Sequence, residues 1–134
     1  DSVLDTANYL DLCYHILTAQ GLQNDLASMA KDFKEGHIDT NMVLRFRQRS
    51  GASLQKSCEA IMAIHDASVR QFDLAAEALI EDADAAFRAR LSTYLDHIRY
   101  VQTGFGSFHM HAHRYTHIMA VERNLAHRID LGCH

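Results

Sequence analysis

The sequence predicts an all-α fold, an antiparallel bundle of long helices, on three observations. Proline is absent from all 134 residues, so no ring clash or missing N–H interrupts a helix. Apolar residues reach 48% against 22% charged, and the supply of Ala, Leu, Met, Arg and Gln is that of a helical protein with one real core. Apolar positions recur at alternating spacings of three and four, and no stretch supports a strand.

The elements follow in order. Residues 2–35 read as one long helix. Ser2 or Asp5 is placed to cap its start and Gly36 to end it. A loop through His37–Asp39 leads to a short helix from about Thr40 to Arg49, with Met42, Val43 and Phe46 as its apolar face. Gly51 ends that helix and Ser53 caps the next. Over residues 53–80 an inward seam runs through Leu54, Cys58, Ile61, His65, Ser68, Phe72, Ala76 and Leu79. A polar break at residues 81–84 precedes a second seam of Phe87, Leu91, Tyr94, Ile98, Val101, Phe105 and Phe108. A last helix is expected from about Thr116 to Ile129. The chain reads as a single α-helical domain over residues 1–134.

Composition narrows the function classes. The formal net charge is −4, with no basic tract interleaved with aromatics, so nothing points to nucleic acid. The apolar runs are too short for a membrane span. Cys13, Cys58 and Cys133 are odd in number and form no C-x-x-C pair, which favours a reduced, cytoplasmic chain.

Chemistry concentrates first at residues 24–32, Asn-Asp-Leu-Ala-Ser-Met-Ala-Lys-Asp. Residues four apart stack along one helix face, so Asn24, Ser28 and Asp32 form one polar line. On a helical wheel Leu10, Tyr14, Leu17 and Gly21 share its sector. Leu22, Leu26, Met29 and Phe33 lie beside it, and Gln20, Gln23, Ala27 and Lys34 opposite. The line is therefore expected to continue an inward-facing stripe, where polar groups need partners. One reading has Ser28 bonding back to a carbonyl while Asn24 and Asp32 pair with neighbouring helices. The other takes an amide oxygen, a hydroxyl and a carboxylate as three ligands of a hard cation such as Mg²⁺. Asp25 points about 100° away from Asn24 and stays outside that set.

The wording of this stretch resembles the second metal-binding motif of class I terpenoid synthases. In that family Asn, Ser and a final acidic residue hold one Mg²⁺ of a cluster that grips the substrate diphosphate. The family usually ends the motif in Glu, where this sequence has Asp32 after Lys31. Asp is one methylene shorter, and Glu35, about one turn on, is the nearest substitute.

The second chemical stretch is residues 104–117. Its His109, His113 and His117 recur at four-residue spacing, a pattern that would also suit a transition metal. Its Arg114-Tyr115 resembles the Arg-Tyr pair that terpenoid synthases carry after a Gly-aromatic stretch, with Phe108 where a Trp is usual. The pattern is most similar to trichodiene-synthase-like fungal sesquiterpene cyclases. A guanidinium offers phosphate a planar fork of donors, and a phenol adds one more.

The resemblance covers the C-terminal half of a class I terpenoid synthase, whose bundle this chain would share in part. It implies a terpene cyclase, a carbon–oxygen lyase that ionises farnesyl diphosphate with Mg²⁺ and lets the allyl cation cyclise. Asn24, Ser28 and Asp32 would hold metal, and Lys31, Arg114 and Tyr115 would contact diphosphate, the last two in a catalytic role. The family's aspartate-rich motif has no counterpart here, since Asp1, Asp5 and Asp11 are scattered along the motif's own helix. An upstream segment is therefore an expected partner, and a homo-oligomer is an open one. The competing class is a non-catalytic helical interaction module on the same fold.

Overall fold

The structure is a computed structural model and describes residues 6–111. Four helices follow one another: α1 (Ala7–Glu35), α2 (Met42–Ser50), α3 (Leu54–Asp82) and α4 (Ala85–His111), with a 3₁₀ turn at Ile38–Thr40 before α2. This is the all-α bundle that the periodicity predicts. The helix expected over 116–129 lies outside the described residues, as do Ser2 and Asp5.

Local chemistry sets the helix ends. Thr6 caps α1, its hydroxyl accepting from the Tyr9 N–H at 3.3 Å. Gly36 closes α1 at φ +79°, a left-handed conformation that costs any residue with a Cβ. Asn41 caps α2 and Ser53 caps α3. Asp84 Oδ1 accepts from the Phe87 N–H at 2.8 Å and starts α4.

The core is an α1–α3–α4 seam of Leu12, Ile16, Phe72, Ala76, Leu79, Leu91 and Leu95. A smaller cluster, Leu22, Val43 and Ile61, ties α2 to α1 and α3. Partner pairs give the helix directions. Met29 meets Cys58 while Leu12 and Ile16 share a cluster with Phe72, Ala76 and Leu79, so α1 and α3 are antiparallel. Arg88 donates to the Ile80 carbonyl and Arg99 to Asp73, so α3 and α4 are antiparallel as well. Tyr9 bonds Tyr94 through their hydroxyls at 3.0 Å, and Gly106 lies against the Gln23 side chain. Helices α1 and α4 therefore run parallel.

Three of the expected faces are corrected. On α1 the core-facing positions are Leu12, Ile16, Ala19 and Leu22, whereas Leu10 and Tyr14 are 62% and 65% exposed and Leu17 65%. The helix is apolar on two sides, and α3 and α4 pack on the side that the polar line does not share. Gln23, expected on the wet side, is half-buried. On α2, Val43 and Leu44 are buried while Met42 and Phe46 are exposed. On α4 the inward line is Leu91, Leu95, Ile98 and Gln102, and Tyr94 and Val101 face out. The α3 seam is as the spacing predicts.

Candidate metal centre

The last three turns of α1 carry the polar line to the end where Gly36 turns the chain back. Asn24 is exposed, Asp32 is half-buried and Ser28 is only 7% exposed. Ser28 owes its burial to the segment after α1. The 3₁₀ turn returns the chain across this end and sets Asn41 down beside Ser28 and Asp32.

Asn41 is completely buried and uses its whole amide. Its Oδ1 accepts from the Val43 and Leu44 N–H groups at 3.1 and 3.3 Å, capping α2. Its Nδ2 donates to Asp32 Oδ2 at 2.9 Å and to the Asp25 carbonyl at 2.8 Å, with Ser28 Oγ further off at 3.4 Å. Two protons serve the two short bonds. Ser28 Oγ in turn donates to Asp32 Oδ2 at 2.5 Å. The α1 helix thus presents a joined hydroxyl–carboxylate pair held from behind by a buried amide.

Asp25 is turned to a different task. Its Oδ2 accepts from the Met42 N–H at 2.9 Å, at the first turn of α2. Burial pushes its carboxyl above the ordinary carboxylate range; the Met42 bond opposes this, and the Asp32 charge adds to it. Lys31 forms an ion pair with Glu35 at 3.3 Å, and Glu35 also lies 3.5 Å from His37 Nδ1. Asp32, Glu35 and His37 can bring ligand atoms within 4.8 Å of one another, although Glu35 and His37 are exposed.

The sequence-predicted ligands are therefore partly assembled. Ser28 does not bond back to a carbonyl; it bonds Asp32, and Asp32 pairs with Asn41. Asn24 stands one turn away at the open surface. Sequence reading missed Asn41, although an Asn directly before a helix is an N-cap signal. Arg114, Tyr115, His113 and His117 lie outside the described residues. The end of α4 stands level with the line but on the opposite side of α1, where it meets Gln23. His111 lies five residues beyond Gly106, as Ser28 lies five beyond Gln23, and the two helices run parallel from that contact.

The donor set fits a hard divalent cation. All three candidate atoms are oxygens, whereas softer metals select nitrogen and sulfur. Both hydrogen bonds to Asp32 fall on Oδ2, which leaves Oδ1 for a metal. Ser28 spends its proton on Asp32 and retains lone-pair capacity.

An all-helical bundle with clustered oxygen donors at one end of its first helix is an α-domain equipped for a hard cation. Residues 1–71 match the family described as "Terpene synthase family 2, C-terminal metal binding". That match spans more than half of the chain, and the protein belongs to this terpene synthase family. Membership implies a divalent metal and an isoprenoid diphosphate. The matched region contains α1, α2 and the first part of α3. No curated protein matches the chain, and no solved structure does. Among the described residues no helix is long and apolar enough to cross a membrane.

Proposed function

We propose that the chain is the distal, metal-binding part of a Mg²⁺-dependent class I sesquiterpene cyclase acting on farnesyl diphosphate, of the trichodiene-synthase-like kind. Asn24, Ser28 and Asp32 are the metal ligands, and Lys31, Arg114 and Tyr115 are the diphosphate donors, Arg114 and Tyr115 acting in catalysis. A bound cation would supply positive charge to stabilise the departing diphosphate. The rest falls to the chain's own groups.

The observation that carries this reading is the layout of one face of α1. Exposed Leu10, Tyr14 and Leu17 run up to Asn24 and the Ser28–Asp32 pair. An apolar wall ending in oxygen ligands suits a ligand that is hydrocarbon at one end and diphosphate at the other. One further fact supports it. Lys31 sits on the same turns of α1, where release from Glu35 frees its ammonium for phosphate.

A segment upstream, bearing an aspartate-rich motif, completes the site in this proposal, and the cytoplasm is its setting. The test is to incubate the complete polypeptide with farnesyl diphosphate and Mg²⁺ and analyse volatile hydrocarbons. Cyclic sesquiterpenes that vanish in Ser28→Ala are expected. Unchanged product in Ser28→Ala and Asn24→Ala overturns the assignment. The Asn41 bonds to Asp32 favour one second reading, a helical module in which the line is purely structural. That reading predicts no Mg²⁺-dependent diphosphate binding even with the upstream segment present.

A further inference from the structure

We infer that Asn41 is a positioning residue for the metal ligands, holding Ser28 and Asp32 in their ligating arrangement from α2's side. This rests on the proposed metal role of Ser28 and Asp32. The buried Asn41 side chain joins two otherwise separate features. Its oxygen caps α2 through Val43 and Leu44, and its nitrogen grips Asp32 Oδ2.

The arrangement selects one oxygen of the carboxylate. Nδ2 of Asn41 and Oγ of Ser28 both donate to Oδ2, so that oxygen is occupied by protons and Oδ1 is the better metal ligand. The same bonds restrain Asp32 about its side-chain torsions and aim the Ser28 hydroxyl proton away from a cation. Asn41 cannot slide, because its other short bond is to the Asp25 carbonyl and its cap bonds fix it to α2. Partners that orient a ligand in this way are typically worth about 10–100-fold in metal affinity.

The two ends of Asn41 can be tested separately. In Asn41→Ser a hydroxyl still caps α2, but it is too short to donate to Asp32. In Asn41→Ala both ends are lost. The measurements are Mn²⁺ affinity of the 134-residue chain by electron paramagnetic resonance, and the urea unfolding midpoint. The expected result is that Asn41→Ala lowers both. Asn41→Ser should restore most of the midpoint yet bind Mn²⁺ about 10-fold or more weakly, as Ser28→Ala and Asp32→Ala do. If Asn41→Ser restores Mn²⁺ affinity along with the midpoint, Asn41 is only a helix cap and the inference is overturned. If Ser28→Ala and Asp32→Ala bind Mn²⁺ like the parent chain, or the parent binds none, the metal assignment beneath it has failed.

Discussion

Leu12 and Leu17 lie on the same helix five residues apart and look alike in sequence, but the structure gives them opposite environments. Leu12 has no exposed surface and packs in the α1–α3–α4 seam, while Leu17 is 65% exposed. Replacing Leu12 by Ala removes three buried carbons, roughly 2.4 kcal/mol at about 0.8 kcal/mol each. The cavity left behind raises this to about 3 kcal/mol, within the usual range for such truncations. For a domain of this size that lowers the melting temperature by roughly 11 °C. The same change at Leu17 removes carbons that already face water and should stay within about 0.5 kcal/mol. The assay is urea unfolding followed by circular dichroism, with both variants and the parent chain measured together. A Leu17→Ala cost equal to that of Leu12→Ala would mean that α1 is rotated about its axis, and the layout of the proposed site would fail with it.

Other consequences arise from single contacts. Gly36→Ala forces a Cβ into the left-handed turn at φ +79° and should cost about 1–2 kcal/mol in the same unfolding assay. Arg99→Gln removes the 3.0 Å bridges to Asp73 and Asp96; the groups are substantially exposed, so a loss of no more than about 1 kcal/mol is expected, shrinking in about 1 M NaCl. Asp25→Asn keeps an oxygen for the Met42 N–H, so helix content should be retained and Mn²⁺ affinity unchanged; a marked loss of Mn²⁺ binding would place Asp25 among the ligands.

The helices were legible because their signals are local. Missing prolines, Gly36, Gly51 and Ser53 act within a few residues of themselves, and the α3 seam has only one apolar side to bury. The orientation of α1 was not legible, because Leu10–Tyr14–Leu17 and Leu12–Ile16–Ala19 are both apolar stripes. Periodicity cannot say which of two apolar stripes meets α3. The same holds on α4, where Tyr94 and Leu95 are neighbours and only packing decides which turns in. That Asn24, Ser28 and Asp32 share one face of α1 was legible from spacing, since one helix carries all three. Asn41 reaches Ser28 and Asp32 from beyond a turn, across nine residues from Asp32, and no helical spacing encodes that approach.

The most direct measurement is anomalous diffraction from crystals of this chain grown with Mn²⁺ and inorganic pyrophosphate. The account predicts a manganese peak within bonding distance of Ser28 Oγ and the Asp32 carboxylate, with Asn41 still bonded to Oδ2. A peak held by Asp32, Glu35 and His37 without Ser28, or no peak at this end of α1, would contradict it.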